Sequence, residues 1–210
     1  MNQTNDGDVS SPIDFHDPAE ARAWVEETVR QRPWRPKFFA AFARALNANV
    51  DAPLDILELG SGPGHLAEHI LNHCPLRKYV ALDFSNAMHA LARARLETFQ
   101  SKIDFVQIDF RESDWPNKLG KFSAVVTMQA AHEMRHKNHL TKFLSTARGT
   151  LRKSGLLLYC DHYAEAGSAK NEELFVSREA QPKALQAAGF VRVQRILDEG
   201  GMALYAGYKS

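Results

Sequence analysis

The chain has 210 residues, enough for one domain with its own core, and its 44% apolar and 24% charged residues suit a globular protein in water. A formal net charge of +1 supplies no bulk electrostatic pull toward nucleic acid or a membrane surface. Cys74 and Cys160 form no CxxC pair, no apolar run has the length of a membrane span, and the start MNQTNDGDVSSPIDF has neither a basic n-region nor an apolar core. We therefore expect no signal peptide, a reduced intracellular setting and a cytoplasmic location.

Residues 1–16 are polar and acidic, with Asp6, Asp8 and Asp14 and no Lys or Arg, and read as a disordered tail. Asp17-Pro18 suits an N-cap followed by proline in the first turn. Ala21, Trp24, Val25, Thr28 and Val29 then recur at helical spacing, RPWRP (32–36) breaks the helix, and Phe38, Phe39, Phe42 and Leu46 mark a second one. Residues 17–50 are thus expected to form helices covering the active site. Trp24 and Trp34 could wall a pocket, whereas the phenylalanines read as core. Arg30, Arg32 and Arg35 flank the break; one could meet a carboxylate, the others read as solvated.

From Leu54 strands and helices alternate. LDILELG (54–60), YVALDF (79–84), IDFVQIDF (103–110), FSAVVTMQA (122–130) and GLLLYCDHY (155–163) read as strands. Helical segments fill the gaps, with Gly189 ending the last of them as its C′ residue. VRVQRIL and MALYAGYK, joined by DEGG, read as a closing hairpin. Nearly continuous apolar strands imply helices on both faces. The expected fold is a doubly wound, Rossmann-like α/β sheet of seven strands, parallel except for the C-terminal antiparallel hairpin, within a unit spanning residues 51–210.

In such sheets ligands bind at the carboxyl ends of the strands. Gly60-Ser61-Gly62-Pro63-Gly64 lies at one of those ends and opens a helix, where glycine permits positive φ and close backbone approach. The spacing is GxGxG, and His65 stands where a dinucleotide fingerprint has its third glycine, which disfavours an NAD-type oxidoreductase. Asp83 ends the second strand, where a carboxylate can accept bonds from both ribose hydroxyls. Asp109 and Phe110 end the third, where an acid and a ring could hold an adenine.

Together ELGSGPG (58–64), ALDFS (81–85), QIDF (107–110) and VVTMQAAHE (125–133) resemble the class I S-adenosylmethionine-dependent methyltransferases. The likeness runs from Leu54 to Tyr208. It implies S-adenosyl-L-methionine as methyl donor and S-adenosyl-L-homocysteine as product. It also implies that Gly60, Ser61, Gly62 and Gly64 lie against the methionine portion, with Glu58 orienting the turn. By the same likeness Asp83 holds the ribose, Phe84 belongs to the cofactor site, Asp109 and Phe110 face the adenine, and Gln129 meets the methionine end. Met88 either packs near the adenine or is an inward core residue. Such chemistry needs alignment and exclusion of water, and a base only where the acceptor must lose a proton.

His132 and His162 stand at the tips of the fourth and fifth strands. His132 as a neutral imidazole could take a proton from an acceptor, or it could only shape its loop. His162 could touch the acceptor or merely be strand-end polarity. HEMRH (132–136) spells the zinc-hydrolase HExxH, but the extended form fails at His139 and Lys142, and we expect no metal. Asp161 with the two histidines leaves a metal site open without fixing distances. His65, His69 and His73 form a helical stripe that reads as a solvated face. No basic stripe or stacking cluster points to nucleic acid, and MQAAHE is not an adenine-methylating signature. The expected partner is a small-molecule methyl acceptor, with no nucleic acid and no membrane; a cofactor-binding protein without turnover is the alternative.

Overall fold

In a computed structural model, which describes residues 7–49, 53–112, 114–164 and 172–210, the chain opens with α1 (Pro18–Gln31) and α2 (Arg35–Asn49). The Asp17 carboxylate caps α1 by accepting from the amides of Ala19 and Glu20. The helices break at Arg32–Trp34, and Trp34 is pinned by a distant turn. A Cβ on Gly200 would fall 2.4 Å from the Trp34 ring, so only glycine lets the two meet. Lys37 and Glu199 pair at 2.6 Å beside that contact.

Among the described residues seven strands make one sheet. They are β1 (Leu54–Leu59), β2 (Leu76–Asp83), β3 (Ile103–Gln107), β4 (Phe122–Met128), β5 (Leu151–His162), β6 (Phe190–Glu199) and β7 (Met202–Lys209). Their order is β3-β2-β1-β4-β5-β7-β6, with β1 to β5 mutually parallel and β7 antiparallel to both β5 and β6. This is the doubly wound sheet the alternation predicts. Every residue of β1 is buried, as a central strand covered on both faces must be.

Two cores sit either side of the sheet. Ile56 and Ala124 face Phe42 and Leu46 of α2, Ile70 of α3 (His65–His73) and Ala92 of α4 (Asn86–Arg95). Leu57 and Val125 face Phe143 and Leu144 of α5 (Leu140–Thr150) and Leu185 of α6 (Ala180–Ala187). β1 runs on to β2 on one side but neighbours β4 on the other. The chain's direction of winding reverses between them, which opens a crevice at their carboxyl ends.

Several strand bounds shift: β2 begins at Leu76 rather than Tyr79, and β3 ends at Gln107 rather than Phe110. β5 begins at Leu151 rather than Gly155, because Leu151 pairs with Phe122 of β4 across a register shift. Residues 7–16, expected as part of a disordered tail, touch the body of the protein in this structure; residues 1–6 lie outside the described residues. The Val9 amide donates to the Arg135 carbonyl at 2.8 Å, and the Arg135 guanidinium donates to the carbonyls of Val9 at 2.8 Å and Ser10 at 2.7 Å. Phe15 packs edge-on against Trp24, their centroids 5.3 Å apart. A polar strap can order when a buried arginine satisfies its backbone, which composition does not reveal. Among the described residues no helix is long and apolar enough to cross a membrane.

Candidate active site

The turn after β1 closes against the end of β4. Gly60 has φ 71°, and a Cβ there would fall 2.2 Å from Ala130 Cβ. Gly64, at φ 82°, caps the start of α3 and packs on Ala92 of α4 and on Leu96 just past it. Gly62, at φ 53°, faces open space instead. That space is a cavity of about 750 Å³ floored by Gly60, Ser61, Gly62 and Gln129.

Asp83 enters it from the tip of β2. Its Oδ2 accepts from the Gly62 amide at 2.8 Å and its Oδ1 from the Ser85 amide at 2.9 Å. Burial lifts its pKa to about 6 against the pull of those amides, so it is mainly ionised at neutral pH. Glu58, also lining the cavity, accepts from the Tyr79 hydroxyl at 2.7 Å and makes no hydrogen bond to the turn's amides among the described residues. Burial pushes its pKa up to about 8, so it is mainly neutral.

Phe84, Met88 and Phe110 line the same cavity. Met88 is also core, packed with Ala21 and Ala87, so it stands between the core and the cavity. Asp109 lies apart. Its carboxylate pairs with Arg111 at 2.6 Å and borders an adjoining space of about 350 Å³, which Phe84 and Phe110 also line.

The far wall carries the histidines. Asp161 is buried at the tip of β5 and is the hub. It accepts from His132 Nδ1 at 2.7 Å and from the His132 amide at 3.0 Å, through different oxygens. His132 Nε2 faces Glu133 at 3.4 Å, and Glu133 pairs with Arg135 at 3.0 Å. Burial opposes charge on His132, but Asp161 and Glu133 outweigh it and push its pKa up to about 10. His132 is therefore an imidazolium at neutral pH, with both nitrogens donating. In that state it offers no lone pair to a proton.

His162 is the opposite case. Burial lowers its pKa to about 4, with Arg32 and His132 adding to the effect against Asp161. Its Nε2 lies 2.8 Å from the Gln129 amide nitrogen, which donates to the lone pair of the neutral ring. Gln129 reaches it from a left-handed backbone, φ 56°, just past β4. Such a conformation in a residue other than glycine is stored strain of the kind that clusters at sites.

The HEMRH segment does not form a helix. Ala131–Met134 is a single tight turn, Arg135 is left-handed at φ 66°, and His136 turns away to Glu173 at 2.9 Å. The two histidines share no face, so the zinc-hydrolase reading loses its geometry. Among the described residues no three His, Cys, Asp or Glu side chains are placed to hold a metal ion. Of the helical stripe, His69 and His73 stack at 4.1 Å, while His65 lines the cavity.

Sequence reasoning left three parts of this wall unassigned: the strap Val9–Ile13, which roofs the cavity, the pair Leu174 and Phe175, and Asp161 as partner of His132. Arg32 and Arg35 both reach the cavity rather than solvent alone.

The walls fit a polar, nucleoside-bearing cofactor. Ser61 Oγ, Gln129 Oε1 and Arg35 Nε are buried without a hydrogen-bond partner among the described residues. Their residues line the cavity together with Asp83 and the apolar Phe84 and Met88. A ligand with hydroxyls, a flat base and a charged tail would satisfy these groups.

Comparison with known proteins agrees. A family model described as "Methyltransferase domain" matches residues 56–155. A non-reducing polyketide synthase of Penicillium brasilianum is 26% identical over 149 residues, 66% of this chain but 6% of the synthase. A protein-lysine N-methyltransferase of Schizosaccharomyces pombe is 29% identical over 171 residues, 72% of this chain and 68% of that protein. The solved structure of an O-methyltransferase family protein from Burkholderia thailandensis superposes with a TM-score of 0.73 at 15% identity, covering 93% of this chain and 61% of that one. Residues 56–155 thus match a methyltransferase domain, and the sheet order with the glycine clasp at its switch point is consistent with the class I S-adenosylmethionine-dependent methyltransferases.

Proposed function

We propose that the chain transfers a methyl group from S-adenosyl-L-methionine to a small-molecule acceptor held in the 750 Å³ cavity. The observation that carries this reading is the size and lining of the cavity. The strap Val9–Ile13, Trp24, Leu174 and Phe175 border it, and it stays partly open to solvent. A partly open chamber of this size suits a cofactor with a compact second substrate.

The bound cofactor supplies an activated methyl group on a sulfonium. Asp83 holds the ribose hydroxyls, and Phe84, Met88 and Phe110 cover the base. Asp109 reaches an adenine amino group only by sharing its bond with Arg111. Ser61 Oγ and the open face of Gly62 meet the methionine portion. Gln129 spans the cofactor and acceptor ends of the chamber.

The chain's proton acceptor is His162 Nε2. An acceptor hydroxyl or amine that displaces the Gln129 amide donates its proton there as its oxygen or nitrogen takes the methyl group. His132 does not take the proton; as an imidazolium locked by Asp161 and Glu133 it fixes the loop and presents positive charge to the chamber. The strap and the apolar wall limit the access of water, which keeps the reacting groups oriented.

The test is calorimetry with S-adenosylhomocysteine, then methyl uptake from labelled cofactor into fractionated metabolites and, separately, into protein. Binding plus label in small molecules supports the proposal. Label only in protein lysines would move the acceptor to the class named by the fission-yeast relative. Binding without uptake in either pool would leave a cofactor-binding protein without turnover.

A further inference from the structure

Arg32 and Arg35 flank the break between α1 and α2, and both line the chamber. Their surroundings differ. Arg35 feels Arg32 and Cys160 first and then Glu58 at the tip of β1, and it acts on His65 beside the glycine turn. Arg32 feels Asp161 and acts on His162, both at the tip of β5. Trp34, seated on Gly200, holds the backbone between them.

Neither guanidinium has a salt bridge or side-chain hydrogen bond among the described residues, although Arg35 lies 5.4 Å from the Phe39 ring. The other charges nearby are already matched. Asp161 is taken by His132, and Glu133 by His132 and Arg135. Asp83 is bonded to backbone amides, and Glu58 is mainly neutral. Two half-buried cations therefore face a chamber that offers them no free anion. Such charges are costly unless a ligand neutralises them.

The cofactor carries a single carboxylate. Arg35, beside the glycine turn, is the guanidinium positioned for it. Arg32, at the histidine end, remains unmatched with the cofactor in place. We propose that the methyl acceptor is a small carboxylic acid whose carboxylate pairs with the Arg32 guanidinium. The planar fork of arginine suits a carboxylate bidentately, and one guanidinium matches one carboxylate charge. The body of the acid lies against Leu174, Phe175 and Trp24, which favour an aromatic or aliphatic frame. The inference rests on the methyltransferase reading above and specifies its substrate class.

The experiment titrates the full chain, loaded with S-adenosylhomocysteine, with four acids: benzoate, 4-hydroxybenzoate, phenylacetate and hexanoate. Each is paired with its uncharged primary amide. At least one acid should bind about 10- to 100-fold more tightly than its amide, the range a charge-assisted pair supplies. Arg32→Gln should remove that preference while changing S-adenosylhomocysteine affinity less than about 3-fold, and Arg32→Lys should restore part of it. A thermal melt of each variant confirms that it is folded. Acids and amides binding alike, or no acid binding the loaded wild type, overturns the proposal. So does an Arg32→Gln loss that falls on S-adenosylhomocysteine, which would make Arg32 a cofactor residue. Failure of the wild type to bind S-adenosylhomocysteine at all is a different result: it removes the methyltransferase reading, and this proposal with it.

Discussion

Asp161 grips His132 twice, at the ring Nδ1 (2.7 Å) and at the backbone amide (3.0 Å), so one buried carboxylate fixes both the orientation and the charge of the histidine. Its own pKa falls below the usual carboxylate value: burial works to raise it, and the His132 charge and hydrogen bond prevail. The two members thus stabilise the fold over a defined window. The raised His132 value gives stability that is full below its ordinary pKa of 6.5 and fades as pH climbs through about 10. The lowered Asp161 value gives stability present above its ordinary 3.8 and lost as pH falls beneath the folded value. Asp161→Asn should cost about 3 kcal/mol near pH 6, the scale for stranding one partner of a buried pair. Denaturant unfolding of both proteins from pH 5 to 10 should show the gap narrowing toward the alkaline end; a widening gap is the opposite of what this pair predicts.

Asp83 should matter to the cofactor more than to the fold. Asp83→Ala removes the acceptor for ribose hydroxyls, and we expect S-adenosylhomocysteine to bind about 1–3 kcal/mol more weakly by calorimetry. Because its pKa is raised to about 6, wild-type affinity should also decline as pH falls through 6. An affinity unchanged in the variant would take the ribose away from this residue.

Gly60 has no substitute. Gly60→Ala places a methyl 2.2 Å from Ala130 Cβ on a backbone with φ 71°. Loss of about 2 kcal/mol or more of stability should follow. The double variant with Ala130→Gly should recover the part due to the clash and leave the part due to the backbone. Thermal melts of the three proteins separate the two contributions, and full recovery in the double variant would show that φ carries none of the cost.

The sheet was readable because its strands are buried on both faces and their hydrophobicity is local. The glycine clasp was readable for a related reason: close backbone approach leaves glycine in the sequence. What stayed hidden depends on distant partners. His132 looked like an ordinary imidazole because Asp161, 29 positions away, does not announce that it will be 2.7 Å from the ring. The strap at Val9 and Ser10 looked like a tail because its anchor, Arg135, lies 125 positions beyond Ser10 in the sequence. Arg32 and Arg35 could be noticed at the helix break, but only the docking of Trp34 on Gly200 shows them held at the cavity.

The histidines should separate cleanly in solution. In a two-dimensional NMR titration of ring carbons, His162 should stay neutral down to about pH 4 and His132 charged up to about pH 10. Asp161→Asn should bring the His132 midpoint down, since its principal counter-charge is gone. A His132 signal titrating near 6.5 in the wild type would refute the locked imidazolium. With an acceptor in hand, His162→Gln should lower kcat by about 100-fold or more if the proton goes to Nε2.

Arg135 should control the roof. Arg135→Ala removes the donors that hold the carbonyls of Val9 and Ser10. We expect residues 7–16 to become the first site of limited proteolysis and S-adenosylhomocysteine to dissociate faster, with the rest of the chain still resistant. Unaltered cleavage and dissociation would mean that Phe15 and Trp24 secure the strap without it.

The antiparallel return of β7 has a practical side. Tyr208 pairs with Leu156, so Lys209 and Ser210 come out at the pole of the sheet opposite the chamber, whereas Val9 lies over it. A dye, surface linker or fusion partner joined after Ser210 hangs clear of the reaction. The same attachment ahead of residue 7 loads the roof itself, so a tag placed there would report on the strap as much as on the ligand.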